Sequence, residues 1–174
     1  MMSGLWPGTR IEAFIGVLYG SIAQVEGFRH KESTHMLEDN KEIVRRITEA
    51  FNTGQLEVLD EVVAADFVGH NPLMPVDMQG IDGLKDFFAA FRSAMPDAHH
   101  PTVRLIGEGD LVAVHMPMEG TFMNPLMGIP PNGQMVSVWM TNIWRIADGK
   151  AAEWWVSMDT LGFMRQIGAI PAMG

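Results

Sequence analysis

The chain has 174 residues with 47% hydrophobic content, enough for one buried core and short for two ordinary domains. A formal charge of -9, from 21 acidic against 12 basic residues, repels phosphate backbones, and no basic stripe offsets it, so nucleic acid is not an expected partner. Having no cysteine, the chain has no disulfide, thiolate nucleophile or cysteine zinc site, and a cytoplasmic setting is permitted and expected.

Taken in chain order, the first apolar stretch runs from Ile11 to Val25 and is interrupted by Glu12, Gly16, Gly20, Ser21 and Gln24. It falls short of the roughly 20 mainly apolar residues of a membrane-spanning helix, so no membrane is expected. Ile11, Phe14, Ile15, Val17 and Leu18 have the spacing of a short helix that packs on the domain or on a second subunit. Residues 1–35 are read as this extension and a polar linker that begins at His30, and 36–174 as the domain proper.

Asp39 or Asn40 is placed to cap a helix with Ile43, Val44, Ile47, Ala50 and Phe51 on one face, and Gly54 to stop it. Leu56, Leu59, Val62 and Val63 continue helical spacing, and Phe67 to Pro72 breaks it in a loop that carries His70 and Asn71. Asp82 caps a third helix through Met95, with Leu84, Phe87, Phe88 and Phe91 inward. Strands follow at Thr102 to Ile106, Leu111 to Met118, Val136 to Ile146 and Lys150 to Val156, and a closing helix at Thr160 to Gln166. Helices first and antiparallel strands second indicate an α+β fold in which helices cover one face of a curved sheet.

A two-residue turn at Asp148 and Gly149 sets a register in which Ile146 opposes Ala151, Asn142 opposes Trp155 and Val138 opposes Asp159. That register puts Asn142, Trp144, Trp155 and Asp159 on one face and Trp139, Thr141, Ile143 and Trp154 on the other. Large apolar residues on both faces predict a homodimer through the outer one.

The six histidines form no HExxH or similar pair, and His99 and His100 point to opposite faces if extended, so no metal is expected. Neither a phosphate loop nor a GxSxG elbow is present, and no cofactor is expected. Asp159 reads two ways. It is a carboxylate behind the apolar run Trp154 to Met158, where burial would make it a useful proton acceptor, and it is also well placed to cap the helix that starts at Thr160. His70 and Asn71 are either ligand-facing loop residues or an Asn-Pro turn with a histidine packed beside it. Asn142 in an apolar strand needs partners, and His115 is either a pocket residue or an ordinary half-buried histidine.

The segment from Gly120 to Gly168 carries a PPxG turn, a strand ending in Arg-Ile-x-Asp-Gly-Lys, then Glu-x-Trp-x-x-x-Asp and a closing Gln-x-Gly. Together with the helix NKEIVRRITEAFNTG, these motifs resemble the SnoaL-like polyketide cyclase family, over Met36 to Gly168. The resemblance implies a cone-shaped barrel of the nuclear transport factor two-like type, with a curved antiparallel sheet and N-terminal helices around an apolar pocket, usually as a homodimer. It implies a cofactor-independent cyclase, isomerase or lyase in which Asp159 takes a proton from a carbon next to a carbonyl, with Asn71 and Asn142 as polar pocket positions. His70, His115, Trp144 and Trp155 complete the expected site around a small apolar carbonyl-containing ligand. Where the family pattern leads to a histidine or similar residue in the strand before the Asp-Gly turn, this chain has Trp144, which donates a hydrogen bond but exchanges no proton. The rival expectations are a non-catalytic binding protein for an apolar molecule and a structural dimer module.

Overall fold

The computed structural model describes residues 34–101 and 103–171, and the expected helix at Ile11 to Val25 lies outside the described residues. The chain divides into units of residues 1–36 and 37–174, and the second carries the fold described below.

Helix α1 occupies 34–53, so the chain is already helical ahead of Asp39 and Asn40, and the expected cap there is corrected. Its Val44, Ile47, Ala50 and Phe51 are buried, as their spacing requires. Gly54, at φ +77, ends it with its N–H on the Ala50 carbonyl at 2.9 Å. A short 3-10 turn, Leu56–Val58, leads into α2 (Leu59–Val62).

Val63–His70 is a strand, β1, where the sequence reading had a helix end and a loop. The segment VAADFVGH has little strand propensity of its own; it is held by pairing to a strand far along the chain. β2 (Met78–Gln79) pairs antiparallel to it, and α3 (Gly80–Ala94) follows with Leu84, Phe88, Phe91 and Ala94 buried. α3 begins after Gln79, two residues ahead of the expected cap Asp82, and Gln79 makes no side-chain cap bond.

The remaining strands are β3 (Arg104–Glu108), β4 (Leu111–Thr121), β5 (Met135–Ala147) and β6 (Lys150–Met158), and α4 (Thr160–Gln166) follows. The sheet order is β2-β1-β6-β5-β4-β3. All pairs are antiparallel except β1 with β6, which is parallel, so the curved sheet is open and mixed rather than purely antiparallel. The α+β class stands. One sheet face packs against α1 and α3 around a core that includes Phe67, Val112, Val114, Trp144 and Phe163.

The β5–β6 hairpin departs from the simple register in one place. Ala147 opposes Lys150 and Ile146 opposes Ala151, but Arg145 opposes Glu153, which leaves Ala152 as an extra residue on β6. A bulge of this kind reverses the facing of every side chain beyond it. Trp144 therefore opposes Trp154, and Asn142 opposes Val156. Trp154 faces the core and is 4% exposed, whereas Trp155 turns outward and is 37% exposed. The facing expected for these two tryptophans is thus exchanged.

Candidate functional site

A cavity lies between the helices and the concave side of the sheet. α1 contributes Ile47, Thr48 and Phe51, and α3 contributes Phe87, Phe88 and Phe91. From the sheet come Met116 and Met118 on β4, Met140, Asn142 and Trp144 on β5, and Trp154, Val156 and Met158 on β6. Asn71 and Leu73 from the loop after β1, and His100 from the segment after α3, complete the wall. The atom-free space, counted out to its mouth, is about 520 Å³, and little of it is open to a water-sized guest. Side chains thus fill most of the cavity at rest. Four of the wall residues are methionines, whose unbranched chains repack at low cost around a larger guest.

Polar groups in this wall are few and specific. Asn142 is 1% exposed; its Nδ2 rests on the Met140 sulfur at 3.6 Å, and its Oδ1 has no partner among the described residues. Trp154 Nε1 is likewise buried without a partner. A buried donor or acceptor left unpaired costs about 1–3 kcal/mol, so these two atoms of the cavity wall are open to a ligand or an ordered water. Asn71 is instead occupied with its own turn, where Oδ1 accepts from Leu73 N–H at 2.9 Å. Thr48 Oγ1 donates to the Val44 carbonyl at 2.9 Å.

Among the described residues of the wall, His100 is the titratable side chain. His99 pairs with Glu119 as an isolated bridge beside β4, which makes this stretch extended, and residues 99 and 100 accordingly face opposite ways, with His99 exposed. The His100 ring leans on Phe51, with centroids 4.9 Å apart, and Nδ1 donates to the Pro117 carbonyl at 2.9 Å. Burial holds its imidazole below the usual histidine range, against the opposing pull of that carbonyl, so it is neutral at neutral pH. Asn52 grips the backbone of His100, accepting its N–H at 2.9 Å. Arg92 ties the same region together, with Nη1 donating to the carbonyls of Phe51, Asn52 and Ala98 at 2.7, 2.9 and 3.3 Å.

Of the residues expected from sequence, the cavity brings together Asn71, Asn142 and Trp144. Asp159 lies outside it and is exposed, and its Oδ1 accepts from Gly162 N–H at 2.8 Å at the start of α4. Of the two readings open for this carboxylate, the geometry is that of the cap. His115 and Trp139 stack on the outer face of the sheet, with centroids 4.7 Å apart, and line a shallow depression there with Asp159. His70 and Trp155 also stack outside, at 5.6 Å, and His70 joins Asp77 at 3.0 Å and Glu153 at 3.1 Å. The sequence reading passed over Trp154 and His100 as site residues. Trp154 was hidden by the bulge; for His100 the opposite facing of adjacent histidines was the available signal. Among the described residues, no group of three His, Cys, Asp or Glu side chains is placed to hold a metal ion, and no helix is long and apolar enough to cross a membrane.

The sequence pattern of the SnoaL-like polyketide cyclases matches residues 41–167, which includes every wall residue of the cavity. The chain belongs to this family. It is 26% identical over 133 residues to aklanonic acid methyl ester cyclase DnrD of Streptomyces peucetius, covering 73% of this chain and 89% of that protein. To nogalonic acid methyl ester cyclase of Streptomyces nogalater it is 27% identical over 120 residues, covering 68% and 90%. Among solved structures, TsrD from Streptomyces laurentii superposes with a TM-score of 0.68 at 29% identity, over 76% of this chain and 97% of that one. The family match and these SnoaL-like relatives account for the helix-lined concave sheet described above.

Proposed function

We propose that this SnoaL-like protein is a small-molecule cyclase that takes an apolar carbonyl compound into the cavity, removes a proton next to the carbonyl and closes a ring by aldol addition. The observation that carries this reading is the pair of unpartnered polar atoms, Trp154 Nε1 and Asn142 Oδ1, in an otherwise aromatic and methionine-lined wall. An indole N–H suits a carbonyl oxygen, and more so the enolate oxygen it becomes, while an amide oxygen suits an enol or phenol hydroxyl. A ligand that carries both groups meets both orphans. The names of the cyclase relatives add the ester class, so the substrate proposed is the methyl ester of a polyketide acid that bears a ketone.

The outward position of Asp159 favours a second reading, in which the protein binds such a molecule without turning it over. Incubation with aromatic methyl esters that carry a separate side-chain ketone within reach of the carbon next to the ester distinguishes the two, because ring closure by aldol addition leaves the mass unchanged and shifts the retention time. Conversion above the buffer rate supports the cyclase. Binding without conversion of any member of the set overturns it in favour of the carrier.

The outer sheet face is proposed as the seam of a homodimer. Trp139, Ile143 and Trp155 are exposed there side by side, with Trp155 in the place first expected for Trp154. A monomer at micromolar concentration by sedimentation, in the full chain, would count against it.

A further inference from the structure

The cavity has walls suited to an enolate, and among the described residues its lining contains no carboxylate. Proton removal there needs an acceptor that faces the guest. Asp159 lies outside the lining, with its Oδ1 held by Gly162 N–H at 2.8 Å.

We propose that His100 is the proton acceptor of this cavity, acting through Nε2. The inference rests on the cyclase reading above and adds the group that carries the proton. A carbonyl oxygen only accepts, so the 2.9 Å contact with Pro117 fixes the hydrogen on Nδ1 and leaves the lone pair on Nε2. Nε2 makes no hydrogen bond to any described residue, and the ring belongs to the cavity wall. Phe51 supports one face of the ring, and Asn52 fixes the backbone behind it. Burial keeps the imidazole neutral, and hence able to accept, at neutral pH. His99 beside it in the chain is exposed and its backbone is bridged to Glu119; Asp97 is engaged with Thr121, and Arg92 with the carbonyls of Phe51, Asn52 and Ala98.

The step balances without a co-reactant. The C–H bond next to the carbonyl breaks, its proton goes to Nε2, and its electron pair forms the enolate, whose oxygen accepts from Trp154 Nε1–H. The enolate carbon then bonds to a second carbonyl carbon of the same molecule, and the alkoxide so formed takes the proton back from Nε2. The Pro117 carbonyl, on the other ring nitrogen, stabilises the imidazolium in between.

The test uses the full chain and 2-tetralone, a bicyclic ketone, with hydrogen–deuterium exchange next to its carbonyl followed by NMR in D2O and binding by tryptophan quenching. The parent is expected to bind the ketone and to accelerate exchange above buffer, with a rate that rises with pH through one ionisation below the usual histidine value. His100→Asn keeps a donor for the Pro117 carbonyl and removes Nε2; binding should persist while exchange falls by roughly 10² and the pH step disappears. His100→Ala, folded by circular dichroism, should regain exchange when imidazole is added. Exchange by His100→Asn within about twofold of the parent, or a ligand-binding His100→Ala that imidazole does not rescue, overturns the assignment to His100 alone. A parent that binds without exchange, or does not bind, overturns the cyclase reading and this inference with it.

Discussion

Trp144 and Trp154 lie face to face on neighbouring strands, with ring centroids 4.9 Å apart and planes 12° from parallel. The stack exists because the bulge at Ala152 brings Trp154 to the inner face. Phe67 stacks on Trp144 at 6.1 Å, and Phe87 and Phe88 meet the edge of Trp154 at 5.9 and 6.3 Å, so the two indoles form an aromatic floor under the cavity. Such pairs add about 0.5–1.5 kcal/mol beyond the area they bury.

Trp154→Phe keeps most of this packing and removes the Nε1–H. The expected result is a small loss of stability and an affinity for aromatic ketones about tenfold weaker, the scale of one hydrogen bond in a buried site. Trp154→Ala, by contrast, should cost about 3–5 kcal/mol in urea unfolding. Equal ketone affinity in Trp154→Phe and the parent, by calorimetry, would deny the indole its proposed partner.

Much of the fold was legible in the sequence, for identifiable reasons. Ile47, Ala50 and Phe51, or Leu84, Phe88 and Phe91, repeat at helical spacing and are buried on that account. The Asp148-Gly149 turn, both residues at positive φ, forms where the dipeptide predicts it. The strand β1 was not legible, because Val63 and the run Val68 to His70 are held extended by partners more than 80 residues away, and the irregular stretch between them includes Ala64, Ala65 and Asp66, which have little strand propensity. The bulge was not legible either. Nothing in Lys150 to Val156 marks Ala152 as the extra residue, and a single residue exchanges Trp154 with Trp155 between the two faces. Asn142 and Trp144 were placed on the cavity side because they precede the bulge on the unshifted strand.

Arg92 is expected to matter to stability beyond its place on α3. Its Nη1 serves three carbonyls, two of them at the end of α1 where the helix leaves its own acceptors unpaired. Arg92→Met retains the apolar stem and removes the donors, so about 1.5–3 kcal/mol of unfolding free energy should be lost. Unfolding curves that superpose on the parent would show these bonds to be replaceable by water.

Asp159 should behave as a cap. Asp159→Asn is expected to leave the melting curve nearly unchanged, and Asp159→Ala to cost about 1 kcal/mol, since Asn caps as well as Asp and Ala does not. Turnover by both should stay within about twofold of the parent. A hundredfold loss in a stable Asp159→Asn would return proton transfer to this carboxylate.

His70 links the loop after β1 to β6, with Asp77 on one ring nitrogen and Glu153 on the other. The Glu153 carboxylate first, and Asp77 second, raise its imidazole above the usual value of 6.5. A raised folded value means that the stabilisation is full below the unfolded value and is lost as pH rises through the folded one. Glu153 works in the opposite direction: held below its usual value by His70 and then Arg145, it loses its contribution as pH falls through that lowered value. The parent should therefore lose stability relative to His70→Gln on passing from about pH 6 to about pH 9. The same pH dependence in both proteins, by urea unfolding, would remove His70 as its source.

The most direct measurement for the account as a whole is a crystal structure of the protein soaked with a methyl ester of an aromatic β-keto acid. The account predicts electron density inside the cone, with the methionine side chains displaced, a ligand carbonyl oxygen about 2.7–3.2 Å from Trp154 Nε1 and the carbon next to that carbonyl facing His100 Nε2. Density confined to the outer depression of His115, Trp139 and Asp159, with the cone still filled by its own side chains, would contradict it.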